Sequence, residues 1–300
     1  MRDIAILMMI HKYTEQQRTL ITHLANDFDV YVHIDKRTKI DLQKVAACGK
    51  NVTAVKKYKV YWAHHSQFFT TLFLLKKAYQ VGYKRYILIS GEDIPLKSNA
   101  EIATFFRDNK SEYFSYEKLP CTWLSDGGFR RIDQFYAAPL YRERFRFSER
   151  LSIGMATGVF CILNRIMRFL RIRRRMPIDY YVGSSWWNLT HGCVAQIFQY
   201  LQENPQFLKK FKYTSCGDEL FFQTLILNFI HRVQCQNDNL RYIYWLPGTY
   251  SPYIFRSEDL SKLEADTHNL FARKFDCAVD AEIIWRCFER VEYQGSFKLR

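Results

Sequence analysis

The first half of the chain alternates continuous apolar runs with stretches of helical spacing, and this alternation limits the folds open to it. Residues 4–10, Ile-Ala-Ile-Leu-Met-Met-Ile, are apolar at every position, as a strand buried on both faces must be. Residues 14–26 place Leu20, Ile21 and Leu24 on one side of a helix, with Thr14 as its N-cap. The same pairing continues with a strand at 29–35, a helical stretch at 38–47 and a short strand at 52–55. A helix at 66–81, a strand at 85–90, a helix at 99–107 and a strand at 113–116 follow. Repeated strand–helix units predict the α/β class, with a mostly parallel sheet flanked by helices. Ligands in such sheets bind beyond the C-terminal strand ends. His11, Asp35 and the polar turn Gly91-Glu92-Asp93 stand there.

Composition narrows the function. Hydrophobic residues make up 48% of the 300 and charged residues 25%, which excludes disorder, collagen and coiled coil. Forty-four Lys and Arg against 30 Asp and Glu leave a formal charge of +14, which favours an anionic partner. Nucleic acid is one such partner, but no recognition module is present and the arginines cluster in one segment with little aromatic interleaving. No apolar run reaches the ~18–20 residues of a membrane span. His11-Lys12 follow the first apolar run where a leader's small residues would stand, so this run reads as a strand. The eight cysteines form no C-x-x-C pair and read as reduced thiols, which suggests a cytoplasmic protein. The whole length reads as one domain.

The one composition shift lies at about 142–175, with ten arginines against Glu143 and Glu149. Val159, Phe160, Ile162, Leu163, Ile166, Met167, Phe169 and Leu170 alternate with Asn164, Arg165, Arg168 and Arg171, which predicts an amphipathic helix with its polar set on one side. Such a helix is either an arginine-rich surface packed on its own domain or a peripheral contact with an anionic membrane.

No phosphate-binding glycine loop, G-x-G-x-x-G, H-E-x-x-H or G-x-S-x-G occurs. Asp27-Phe28-Asp29 spells D-x-D but precedes a strand, on the wrong side of the sheet for a ligand. Four segments are dense in chemistry: 87–98 around Ser90-Gly91-Glu92-Asp93, 181–189 around Trp186-Trp187, 215–224 around Asp218-Glu219, and 270–276 around Arg273-Lys274. Each has a plain reading. The acids favour a helix N-terminus by ~0.3–1 kcal/mol each, the tryptophans are core, and the cations are surface charge. His64 and His65 have no partner at metal-ligand spacing and read as structural.

Taken together, the segments are more specific. Val32-His33-Ile34-Asp35, Trp62 to Ser66, Ser90-Gly91-Glu92-Asp93-Ile94-Pro95-Leu96-Lys97, Gly183 to Trp187, Asp218-Glu219 and Phe271 to Asp276 resemble, in order and wording, the core-2/I-branching glycosyltransferases, a family that includes peptide xylosyltransferases. The resemblance implies a GT-A-type, Rossmann-like fold and a UDP-sugar donor. It also implies inversion at the anomeric centre and no divalent metal or other cofactor. Glu219 is then the catalytic base and Lys274 binds the diphosphate. Arg256 is the nearest candidate for an additional diphosphate arginine, and Asp35 contacts the donor nucleoside. His11 belongs to the donor side, while Trp186, Trp187, Asp218, Glu92 and Asp93 line the acceptor or pocket. The sugar expected is N-acetylglucosamine, with xylose as the alternative. The acceptor is a glycan or lipid-linked glycan, reached by a bacterial enzyme that is cytoplasmic or peripheral on the inner membrane face.

Overall fold

The computed structural model describes residues 3–139, 145–249 and 251–297. Its strands are β1 (Ile4–Ile10), β2 (Asp29–Ile34), β3 (Val52–Val55), β4 (Arg85–Ser90), β5 (Asp93–Pro95), β6 (Ser111–Phe114), β7 (Glu117–Lys118), β8 (Tyr181–Val182), β9 (Trp187–Thr190), β10 (Gln234–Asn237), β11 (Arg241–Ile243) and β12 (Phe271–Arg273). Seven of them form the main sheet in the order β10-β6-β9-β4-β1-β2-β3. All its pairs are parallel except those that β9 makes with β4 and β6. The sheet is therefore α/β and mostly parallel, a GT-A-like arrangement, as the alternation predicts.

Side chains alternate across the pleat. Ile4, Ile6, Met8 and Ile10 enter one core, while Ala5 and Leu7 enter the other. The helix Glu15–Ala25 covers the first face with Leu20, Ile21 and Leu24, and the helix Ser66–Val81 covers the second with Phe68, Leu72 and Leu75. The helix Asn99–Arg107 starts where Ser98 and Glu101 cap each other's backbone N–H groups. The chain builds outward from β1 to β3, then crosses back to β4 on the other side of β1. Strand order reverses at that junction, which opens a crevice beyond the strand ends.

Three expectations change. The helix at 38–47 is only Leu42–Ala46, started by the Asp41 carboxylate accepting from Gln43 N–H. The strand placed at 113–116 is β6, two residues earlier. The turn after β4 is itself followed by β5, which pairs antiparallel with β12 in a second sheet ordered β11-β12-β5.

The basic segment forms the helix Phe147–Phe169. Its polar residues keep to one arc of the helix, but that arc is not simply the solvent side. Asn164 faces inward, with its amide donating to Phe135 O at 2.9 Å and accepting from Phe135 N–H at 2.8 Å. Met167 is buried and the Phe160 ring lies 4.9 Å from that of Tyr213. Val159, Ile162, Ile166 and Phe169 face solvent. Nor are all the arginines surface charge: Arg174 is buried and donates to the carbonyls of Gln134, Lys210 and Lys212. Arg142 and Arg144 lie outside the described residues.

Candidate active site

The phrases at 62–66 and 183–187 converge on the acidic pair. A short 3-10 turn, Gly217–Glu219, precedes the helix Phe221–Phe229. Cys216 before it is left-handed at φ 48°, a conformation a non-glycine residue adopts only where its surroundings impose it. Those surroundings are backbone bonds. Cys216 N–H donates to Ala63 O at 3.0 Å, Ser215 N–H to Arg131 O at 3.1 Å, and Gly183 N–H to Glu219 O at 2.9 Å. Position 183 must be glycine, because a Cβ there would lie 1.8 Å from Ser115 O.

Glu219 Oε2 accepts from Arg131 Nη1 at 2.6 Å, and its side chain is 34% exposed. Burial and the neighbouring Asp218 push the Glu219 carboxyl up to about 7, against the opposing pull of Arg131. Asp218 takes a 2.6 Å hydrogen bond from Ser185 Oγ, while its other oxygen is buried with no partner. Burial raises the Asp218 carboxyl as well. The pair thus offers one partly accessible carboxylate near neutrality beside one held toward its neutral form.

A second cluster stands at the ends of β1 and β4. Lys274 Nζ lies 3.0 Å from Glu92 Oε2, and Lys12 Nζ lies 3.3 Å from Glu92 Oε1 and 2.8 Å from Asp276 Oδ2. Burial pushes the Glu92 carboxyl up, but Lys274, Arg273 and Lys12 outweigh it and hold the carboxyl below its ordinary range. Arg273 donates to Asp93 at 2.9 Å and to Ser90 Oγ. Its guanidinium sits 4.7 Å from the centre of the Trp186 ring. Trp186 follows Ser185, the partner of Asp218. A continuous line of contacts therefore joins the acidic pair to the cations.

Several predicted residues fall elsewhere. Trp187 is wholly buried, with its ring 5.1 Å from Phe222, so it is core and not a pocket wall. Asp93 is equally buried and braces Ser90 and Arg273, so it cannot line a pocket either. Asp35 sits at the end of β2, but its carboxylate is occupied by Arg37 at 2.7 and 3.0 Å and by Val60 N–H at 3.3 Å. His11 is exposed and lines a small recess with Lys12, Gln17 and Glu92. Arg256 lines an open groove of about 530 Å³ with Leu246, Tyr253 and Val279. Phe255 N–H donates to Lys274 O, which sets that groove's backbone beside Lys274. Asp27 accepts from Asn99 and Asp29 from Tyr83, so both are structural. His64 and His65 are pushed by burial to about 4 and about 3, and His65 accepts Tyr213 N–H. Among the described residues no three His, Cys, Asp or Glu side chains gather where they could hold a metal ion. Arg131 and Lys12 are the site residues that sequence reasoning missed. Lys12 carried a signal, since it follows β1 directly, but Arg131 lies in no recognisable phrase.

A mostly parallel α/β sheet with acids and cations gathered at its switch point is the layout in which α/β proteins bind polar ligands. The chain belongs to the core-2/I-branching enzyme family, whose model matches residues 4–264. It is therefore a glycosyltransferase, acting between a sugar donor and a glycan acceptor. The match stops short of Lys274. Among solved structures, 4-diphosphocytidyl-2C-methyl-D-erythritol synthase is similar at 8% identity over 73% of this chain and 92% of its own, with a TM-score of 0.33. No curated protein matches.

Proposed function

We propose that the enzyme transfers a sugar, N-acetylglucosamine in the first instance, from its UDP conjugate to a glycan hydroxyl, with inversion and without a divalent metal. The observation that carries this reading is the pairing of one carboxylate poised near neutrality with three cations at the adjoining strand ends. Glu219 takes the acceptor hydroxyl's proton as the oxygen attacks the anomeric carbon. The bond from that carbon to the diphosphate breaks on the opposite face, and UDP leaves with the bonding electrons. Lys274 meets the growing negative charge, assisted by Arg256 from the adjoining segment. A metal-dependent transferase would offer free carboxylates at this turn. Here Glu92 and Asp93 are already engaged by Lys12, Lys274 and Arg273, which supports metal independence. Asp35, pinned by Arg37, is assigned to the nucleoside, and Trp186 to the pocket wall.

The test is donor turnover over a panel of UDP-sugars in excess EDTA, with the product anomer read by NMR. UDP-N-acetylglucosamine should be consumed with inversion and with undiminished rate. Preference for UDP-xylose would replace the sugar and leave the mechanism standing. Loss of activity in EDTA with rescue by manganese would overturn metal independence, and a retained anomer would overturn inversion.

A further inference from the structure

The helix Phe147–Phe169 carries an apolar stripe that the fold leaves uncovered. Phe147, Leu151, Met155, Val159, Ile162 and Ile166 recur at steps of four or three residues, on one side of the helix, and are 49–85% exposed. The helix is not short of a core contact, because its opposite side already carries Met167, Phe160 and Asn164 against the protein. An apolar patch of this extent marks an interaction surface. Arg150, Arg165 and Arg168 are exposed along the same helix, and Arg171 and Arg173 are exposed just beyond it. The helix has one acid, Glu149, and it is turned to Lys59.

This combination selects the occupant. A second copy seated on the stripe would bring arginines against arginines, with no acid on the exposed side to meet them. An anionic bilayer takes both parts at once, the apolar stripe into the acyl boundary and the guanidinium groups onto lipid phosphates. We infer that this helix docks the enzyme on an anionic lipid surface, lying in the plane of the headgroups. No helix among the described residues is long and apolar enough to span a membrane. The docked helix also braces the catalytic loop. Phe160 packs on Tyr213, three residues before Cys216, and Asn164 fastens Phe135, four residues after Arg131. Docking would therefore hold the segments that carry the acidic pair close to the bilayer.

Sedimentation of the full chain with vesicles tests this. Vesicles of equimolar phosphatidylglycerol and phosphatidylcholine should bring the enzyme down, increasingly less as salt rises, while phosphatidylcholine alone should not. The double variant Leu151→Asp, Ile162→Asp should bind at least about tenfold more weakly. Arg165→Glu with Arg168→Glu should lose about fivefold or more per residue. Both variants should melt with the wild type. Enzyme that stays in the supernatant with the anionic vesicles overturns the inference. So does a self-associating wild type that Leu151→Asp, Ile162→Asp converts to monomer without any vesicle binding, which would make the stripe a homodimer seam. A large fall in Tm for that variant would mean that the stripe is interior, and would overturn it as well.

Discussion

Glu219 is held at about 7, against an ordinary glutamate value of 4.5, by burial and by Asp218. The folded chain therefore keeps a proton that the unfolded chain releases between those two values. Folding stability should fall as pH rises through this window. The transfer rate should rise through the same window, because only the carboxylate accepts a proton. Glu219→Gln should lose transfer by ~10²–10⁴-fold while retaining UDP, and its melting temperature should decline less between pH 4.5 and 7 than that of the wild type. Arg131→Ala tests the pair from the other side. Arg131 lowers the Glu219 carboxyl, so its removal should move the acid limb of the rate profile to higher pH, with a larger loss at pH 7 than at pH 8.5. An acid limb that stays in place would show that Arg131 does not bear on the base. The proposed base, Glu219, was legible in the sequence only through the family resemblance, since two adjacent acids ahead of an apolar helix read equally well as helix N-terminal charge. Arg131 was not. Its position beside Glu219 depends on Ser215 N–H finding Arg131 O across more than eighty residues, and no local spacing encodes that. Trp187 illustrates the opposite error. A tryptophan beside small residues suits a sugar face or a core equally well, and only the packing against Phe222 decides.

At the scale of elements, the long apolar strands and the helices Glu15–Ala25, Ser66–Val81 and Asn99–Arg107 were read almost to the residue, because burial on both faces and 3.6-residue spacing are local signals. The three-residue strand β5 was not, since its partner β12 stands about 180 residues away. That pairing gives neighbours in β12 and just after it different duties. Arg273 is 14% exposed and bonded to the wholly buried Asp93. Arg273→Met should therefore leave an unpaired interior carboxylate and cost about 3–5 kcal/mol of stability, seen as a lower Tm. Lys274→Ala should spare Tm, weaken UDP, and lower kcat by ~10²–10³ if Lys274 meets the leaving group. UDP titration and thermal denaturation of the two variants separate these duties. A Lys274→Ala enzyme with unchanged UDP affinity would remove Lys274 from the donor site.

Over the whole molecule, the cation cluster is assembled from segments far apart in the sequence. Lys12 follows the first strand, Glu92 stands in the turn after the fourth, and Lys274 and Asp276 arrive after β12. Gln16 and Gln17, both buried near the N-terminus, reach Phe275 O and Gly91 O and fasten these parts together. Parallel β1, β2 and β4 can pair as soon as they are made, but the cation cluster waits for β12 and the residues just after it. On a ribosome that completes the N-terminal sheet first, Asp93 spends most of synthesis without its arginine and β5 without its neighbour. The acidic pair thus exists before Arg273 and Lys274 do, and a nascent chain that stalls or is clipped before β12 carries the proposed base without the residue proposed to release UDP. Translation through β12 is in this sense the step that arms the proposed donor site.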